Sequence, residues 1–195
     1  MTCIVGLVHN GVTYIGADSL GSTPYTKAVR KDKKVFHLKN SDKVIIGAVH
    51  SFRMTQLLMF ADNIIDERDI KDDLINYEYM VTKFIPNVID LFEKNGFSRI
   101  DQNEKVGGRF LVGYKDRLFD IDTDFQVGEN LCGYSALGSG SDFAMGSLYS
   151  TEGMIDDPIT RIHMALQAAT QFAVGVEPPF HILNTKNNEV ITYDK

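Results

Sequence analysis

Apolar and polar residues alternate in short runs over the first fifty residues, a pattern that is typical of β-strands. Polar turns separate the runs, and the Asn-Gly pair at 10–11 is a strong signal for a hairpin between the first two. The runs that predict strands are TCIVGLV, VTYIGADS, KVFHL and KVIIGAV. We therefore expect antiparallel strands joined by short turns at the start of the chain.

Apolar residues take up helical spacing near residue 51. The spacing predicts one helix over 51–65 with Ser51 as its N-cap, and a second over 72–94 that Pro86 should kink or break. The first half of the chain is thus a block of strands followed by two helices.

The second half of the chain repeats this order. GRFLVGY and RLFDID flank a Lys-Asp turn and predict a hairpin, the segment 125–142 is typical of strand and turns, and a short helix follows over 141–150. A longer helix begins with Asp157 as N-cap and Pro158 in its first position. Its predicted inner stripe is Ile159, Ile162, Leu166 and Ala169. FHILN and EVITYD predict a last hairpin.

This order predicts an α+β fold with antiparallel sheets, because short hairpins do not join parallel strands. Two sheets packed face to face with helices outside would satisfy the pattern. The 195 residues fit a single domain over 1–195 without linkers or repeats. A chain of this size buries roughly 70% of its unfolded surface and needs no disulfide to make a core.

Composition excludes several function classes. A net charge of −6 and a pI near 5.3 argue against a nucleic-acid or anionic-membrane surface, and the basic run at 30–34 is typical of a solvated loop. No apolar stretch has the length of a membrane span, and the N-terminus lacks the pattern of a signal peptide. Cys3 and Cys132 suit a reducing compartment. We therefore expect a cytoplasmic protein without membrane partners.

Thr2 is the first candidate for chemistry. A threonine at a mature N-terminus is a nucleophile whose own α-amine, with a pKa of about 7.7–8.0, serves as general base. Methionine removal is efficient before small residues, so loss of Met1 would expose it. While Met1 is attached, the amine is tied up in a peptide bond. The alternative is that Thr2 is simply a β-branched residue at the start of a strand.

Asp18 and Lys34 favour the interpretation of Thr2 as a nucleophile. A tight hairpin returns Asp18 to the neighbourhood of Thr2, and Lys34 begins the next strand. A buried lysine lowers the pKa of a nearby nucleophile, and an aspartate keeps that lysine charged and oriented. On its own, each would be an ordinary turn aspartate or surface lysine.

The segments TCIVGLVHNGVTYIGADS, KKVFHL and KVIIGAVHSFRMTQLL resemble the front half of a proteasome β subunit, and more closely the bacterial proteasome-like peptidase that works with an AAA+ unfoldase. In that family an aspartate and a lysine lie 16 and 32 residues beyond the catalytic threonine, intervals that Thr2, Asp18 and Lys34 reproduce. The resemblance implies an N-terminal-nucleophile hydrolase with a four-layer αββα sandwich. It also implies a homo-oligomeric ring, peptide or unfolded-protein substrates, an AAA+ partner, and no cofactor.

A second stretch, ALGSGSDFAMGSLYS, resembles the Gly-Ser-Gly turn of that family, whose serine supports the threonine amine. The match implies this role for Ser139 first and Ser141 second. Asp142 is expected to be a helix N-cap or an acid in the first helical turn. A glycine-rich turn before a helix also suits an anion, which is the alternative reading of this stretch.

Three positions depart from the family pattern. If Gly175 keeps the register, Gln171 and Val174 stand where the family has a second aspartate and a serine. At the place of the family's oxyanion glycine stands His50, whose backbone N–H could serve and whose imidazole adds a titratable group. The alternative for His50 is a partly buried histidine at a strand–helix junction.

The remaining polar candidates receive structural interpretations. Cys3 would be a nucleophile only if processing removed one more residue, and strand alternation turns it to the opposite face from Thr2. His37, His163 and His181 lack metal-ligand spacing, so we expect no metal. The acidic stretch DIDTD at 120–124 is predicted to be a solvated turn.

These observations favour a threonine peptidase. A catalytically inactive assembly or scaffold subunit of the same fold is the alternative from another class, and a small-amide hydrolase is the alternative enzyme. Removal of Met1 would expose Thr2, and it therefore distinguishes an active peptidase from a catalytically inactive subunit.

Overall fold

Two five-stranded antiparallel sheets lie face to face in the computed structural model, which describes residues 2–23 and 25–194. The first sheet has the order β12 (Tyr134–Gly138), β1 (Cys3–His9), β2 (Val12–Ala17), β13 (Phe180–Asn184), β14 (Ile191–Tyr193). The second has the order β11 (Val127–Glu129), β10 (Arg117–Ile121), β9 (Phe110–Tyr114), β6 (Val44–Ala48), β5 (Val35–His37). Each neighbouring pair is antiparallel, as the short turns predict.

Strand alternation places one apolar face of each sheet against the other. This inter-sheet core consists mainly of Ile4, Ile15, Leu137 and Leu183 from the first sheet and Val35, Ile45, Leu111 and Leu118 from the second. Gly47 lets the sheets approach closely, because a Cβ there would lie 2.6 Å from Ile4 Cγ2 and 2.8 Å from Ile15 Cγ2. The two sheets are therefore closely packed behind the start of β1.

Helices cover both outer faces and complete a four-layer αββα sandwich. The helices are α1 (Phe52–Phe60), α2 (Glu67–Lys71), α3 (Tyr77–Tyr79), α4 (Ile85–Lys94), α5 (Ser141–Thr151) and α6 (Pro158–Phe172). The first four share a core with the second sheet, and the last two share one with the first sheet. The expected fold class is confirmed.

Helix α6 follows its sequence signals closely. Asp157 caps it by accepting a hydrogen bond from the Thr160 N–H at 2.7 Å, and Pro158 is its first residue. Of the predicted inner stripe, Ile162, Leu166 and Ala169 are fully buried, and Ile159 packs partly buried against the same cluster. This regular helix gives the first sheet a continuous apolar cover.

The predicted helix over 51–65 is shorter than expected. Ser51 caps α1 as predicted, but the helix ends at Phe60 because Ala61 takes an extended backbone and Asn63 a positive φ of 66°. Ile64 and Ile65 are buried although they lie outside the helix. Their burial explains why apolar spacing alone overestimates the length.

The predicted helix over 72–94 begins five residues later, at Tyr77. A π-helical segment, Met80–Phe84, joins α3 to α4 and ends two residues before Pro86. Proline lacks an N–H and crowds the preceding turn, so a widened turn accommodates it. The expected break at Pro86 therefore takes the form of a π-helical segment.

Two small hairpins escape the sequence pattern: β3 (Leu20–Ser22) with β4 (Lys27–Val29), and β7 (Arg99–Asp101) with β8 (Glu104–Val106). Three-residue strands are too short for alternation to appear, and β4 and β7 are exposed along their whole length. None of the helices within the described ranges has both the length and the apolar character to cross a membrane.

Replacement of Ile15, which is fully buried between the sheets, by alanine should lower the free energy of unfolding by about 2–5 kcal/mol because it leaves a cavity. Ile100 in β7 is 71% exposed, and the same substitution there should change the free energy by less than about 0.5 kcal/mol. Urea unfolding of both variants measures the difference. Equal losses would contradict the inter-sheet core.

Candidate active site

Thr2 lies directly before β1 and is held by the turn that follows β12. Its N–H donates to Ser139 Oγ at 3.3 Å, and its carbonyl accepts from the Gly140 N–H at 3.4 Å. Gly138 has a φ of +98°, and a Cβ there would lie 2.1 Å from the Thr2 carbonyl oxygen, so only glycine fits. The backbone of Thr2 is thereby fixed, and the residue is only 7% exposed.

Asp18 is brought to the same place by the register of the β1–β2 hairpin. Ile4 pairs with Ala17, so Asp18 lies opposite Cys3. The carboxylate of Asp18 accepts the Cys3 N–H at 2.9 Å through Oδ1 and the Leu20 N–H at 2.9 Å through Oδ2. Asp18 therefore fixes the peptide group immediately after Thr2.

Lys34 completes the buried group. Its Nζ donates to Asp18 Oδ1 at 2.8 Å and to the Leu20 carbonyl at 2.7 Å, and the two ionic side chains are only 3% and 0% exposed. Burial lowers the pKa of Lys34, and the charge of Asp18 and its hydrogen bond oppose that effect. The result is an oriented ammonium group beside Thr2 that depends on Asp18 for its charge.

Thr2 lines two cavities. The first, of about 100 Å³, includes Ser22, Lys34 and Phe52 in its wall. The second, of about 200 Å³, is lined by Val49, His50, Arg109, Thr123, Gly138 and Ser139 besides Thr2. A larger groove of about 470 Å³ lies beyond Phe52 and is lined by none of the predicted site residues.

His50 lines both cavities at Thr2 and sits in a strained turn. The Ser51 N–H donates to the Val49 carbonyl at 3.0 Å across His50, whose φ is +81°. This is a γ-turn with a positive central φ, a rare conformation for a non-glycine residue. Among the described residues, no acceptor receives the His50 N–H, which leaves that donor for a ligand. The imidazole is exposed, so the alternative of a partly buried histidine is wrong.

Two of the secondary candidates lie away from Thr2. Ser141 is the first residue of α5, where its hydroxyl lies 3.5 Å from Asp142 Oδ1. Gly140 is the N-cap, and Asp142 is an acid in the first turn, which was the second of its two expected roles. Gln171 is exposed in the last turn of α6, and Val174 is 87% exposed. Neither Ser141 nor Gln171 lines a cavity at Thr2.

The sequence interpretation missed Arg109. The register of β9 and β10 pairs Phe110 with Ile121, which places Arg109 opposite Asp122. Asp120 is not in a solvated turn as expected: it lies in β10, is 21% exposed, and accepts a hydrogen bond from Ser135 at 2.9 Å. Burial raises its pKa. Counting residue pairs along the hairpin from the Lys-Asp turn at 115–116 would have predicted that Arg109 lies opposite Asp122.

Among the solved structures with similar folds are two structures of BPH from Thiobacillus denitrificans. The one in complex with epoxomicin has a TM-score of 0.73 at 15% identity, over 96% of this chain and 99% of that one. The one without it has a TM-score of 0.73 at 16% identity, over 96% and 98% of the two chains.

Eukaryotic HslV from Trypanosoma brucei matches with a TM-score of 0.65 at 17% identity, over 98% of this chain and 99% of that one. No protein-family model and no curated protein matches the sequence. The chain therefore shares the fold of BPH and HslV over nearly its whole length.

Lys34→Met should lower the free energy of unfolding by about 3–5 kcal/mol, because it leaves the Asp18 carboxylate buried without its cation. The double variant Asp18→Asn with Lys34→Met should lose less free energy of unfolding than the sum of the losses of the two single variants. In the double variant both charges are removed, so no unpaired charge is left buried. Lys94→Met, which breaks the exposed Lys94–Asp90 pair, is the control and should change little. Additive losses in urea unfolding would contradict the coupling.

Cys3 should be inert in the native protein. It is fully buried against α5 and α6, and burial, followed by the charge of Asp18, raises its pKa to about 12. Its thiol therefore stays protonated from neutral pH up to well above pH 9. Iodoacetamide at pH 8 should label only the exposed Cys132, and both thiols in denaturant. Native labelling of Cys3 in a Cys132→Ser variant would contradict this arrangement.

Proposed function

We propose that the chain is a proteasome-like threonine peptidase whose nucleophile is Thr2 Oγ, exposed by removal of Met1. The observation that carries the proposal is the buried Asp18–Lys34 ion pair, hydrogen-bonded to the backbone beside Thr2. The shared fold with BPH and HslV supports it, and so does the complex of BPH with epoxomicin. Met1 itself lies outside the described residues.

In the proposed reaction the free α-amine of Thr2 takes the proton from Oγ as Oγ attacks the peptide carbonyl. The new oxyanion is held by the His50 N–H. The protonated amine then gives its proton to the leaving nitrogen as the C–N bond breaks, which leaves an ester on Thr2. Water, activated by the same amine, hydrolyses that ester and restores the hydroxyl.

Each neighbour of Thr2 has a role in this scheme. The ammonium group of Lys34 favours the deprotonated forms of the nearby amine and hydroxyl and so lowers their pKa values. Asp18 keeps Lys34 charged and oriented, and Ser139 holds the nitrogen that moves the proton. Asp18 acts through Lys34, so it is a positioning residue.

The direction of the substrate follows from the proton's path. The nitrogen of Thr2 bonds to Ser139, and Ser139 lines the 200 Å³ cavity. The leaving nitrogen receives its proton from that amine, so the residue after the scissile bond occupies this cavity. The residue before the bond then occupies the 100 Å³ cavity beside Lys34, a volume that suits a small side chain.

Assembly into a homo-oligomeric ring served by an AAA+ unfoldase in the cytoplasm is part of the proposal. Exposed apolar side chains support self-association: Phe143 of α5 and Phe172 of α6 have ring centroids 5.4 Å apart and are 41% and 66% exposed. Such paired exposed aromatics are typical of surfaces that another chain covers.

An inactive scaffold subunit is the second candidate. The observation that favours it is the position of Gln171, which is exposed on α6 and offers no acid to the amine of Thr2. A scaffold would assemble equally well with or without the hydroxyl of Thr2. A small-amide hydrolase would use the same nucleophile on a shorter substrate.

Thr2→Ala should reduce kcat/KM for an unstructured peptide by a factor on the order of 10³ or more, because it removes the nucleophile. Thr2→Ser should retain measurable activity, and a form that keeps Met1 should be inactive. Ser139→Ala should lower the rate, whereas Ser141→Ala is its matched control and should not.

The comparison uses chains of verified N-terminal mass and measures their oligomeric state. Turnover of the Thr2→Ala variant at the unmodified rate would contradict the proposal. If no form that begins at Thr2 turns over peptides and all assemble alike, the scaffold alternative is favoured; turnover of short amides alone favours the small-amide hydrolase.

A further inference from the structure

Arg109 is the charged side chain of the second cavity that the proposed mechanism does not use. It lies directly before β9, its carbonyl accepts the Val49 N–H at 3.1 Å, and it shares the cavity wall with Thr2 and His50. The side chain is 41% exposed, yet its Nε atom is fully buried. Arg109 is therefore anchored next to the γ-turn by its backbone, and it lines the same cavity as Thr2.

The guanidinium group has carboxylates nearby but donates no hydrogen bond to any of the residues that the structure describes. Asp122 Oδ1 lies 3.3 Å from Nε and Asp120 Oδ1 lies 3.8 Å from Nη2. Both Nε and Asp120 Oδ1 are buried without a hydrogen-bond partner. A buried N–H donor without an acceptor costs free energy. The guanidinium group of an arginine carries five N–H donors in a planar fork that fits a carboxylate.

The cavity wall presents donors to a ligand. Among its lining residues none is acidic, and the hydroxyl groups of Thr123 and Ser139 add to the guanidinium group and the imidazole. Asp120 and Asp122 orient Arg109 from outside that wall. Burial raises the pKa of Asp120, the more distant of the two carboxylates.

We propose that Arg109 binds a carboxylate on the residue that follows the scissile bond, so that the site prefers substrates with an acidic residue at this position. This inference rests on the proposed peptidase function, which directs the leaving group into the second cavity. Arg109 is then a specificity-determining residue, and Asp120 and Asp122 position its guanidinium group.

The test compares two peptides that differ only after the scissile bond, where one has glutamate and the other the isosteric glutamine. Mass spectrometry of the products fixes the cleaved bond. The unmodified protein should cleave the glutamate peptide with a kcat/KM about tenfold or more higher, since a charge-assisted hydrogen bond contributes that much. The ratio should fall at high ionic strength, because Arg109 is partly exposed.

Arg109→Met should bring the ratio to about one, and Arg109→Lys should keep part of it. Arg68→Met is the matched control: Arg68 is also paired with an aspartate but is 83% exposed on α2 and away from both cavities, so the ratio should persist. Cooperative urea unfolding checks that each variant is folded. Equal rates on both peptides in the unmodified protein, or a preference for lysine at this position, would overturn the inference.

A binding measurement separates this inference from the proposed function. With Thr2→Ala, turnover should be on the order of 10³-fold or more slower, so fluorescence anisotropy gives the Kd of both intact peptides. A Kd about tenfold lower for the glutamate peptide, lost on adding Arg109→Met, supports the inference even where no form of the protein cleaves a peptide. Equal Kd values overturn it, whatever the turnover experiments give.

Discussion

Lys34 and Asp18 form an ion pair that is almost fully removed from water, and this pair links the ends of β1, β2, β3 and β5 near Thr2. Asp18 follows β2 and bonds to the first residue of β1, while Lys34 precedes β5 and bonds to the first residue of β3. Burial of two charges is costly unless hydrogen bonds satisfy them. Here four hydrogen bonds link the pair and tie it to the backbone, so the charges also fix the geometry around Thr2.

The same contacts connect stability to the chemistry that we propose. The turn at Gly138–Gly140 fixes Thr2 from one side, and the ion pair fixes the peptide group after it from the other. The strained γ-turn at His50 lines both cavities at Thr2, and its backbone N–H has no acceptor among the described residues. Strain of this kind persists where the surrounding structure enforces it, which is typical of functional sites. The exposed imidazole distinguishes this site from one that has glycine at the position.

Local signals in the sequence predict much of this arrangement. The Asn-Gly turn fixes the β1–β2 register and hence the position of Asp18, and the caps Ser51 and Asp157 mark helix starts correctly. Helix ends were predicted less well, because Ile64 and Ile65 are buried without being helical. Burial of this kind depends on contacts between distant segments, which periodicity does not contain. Arg109 was missed because the role that we propose for it depends on a cavity formed by five separate segments.

The central claim is that Thr2 has a free amine and an activated hydroxyl beside the Asp18–Lys34 pair. The most direct test is the intact mass of the protein from its native host after incubation with epoxomicin, an electrophilic epoxyketone. We predict a chain without Met1 that carries one inhibitor molecule, which fragmentation places on Thr2. A chain that retains Met1 and gains no mass, or an adduct at another residue, would contradict the account.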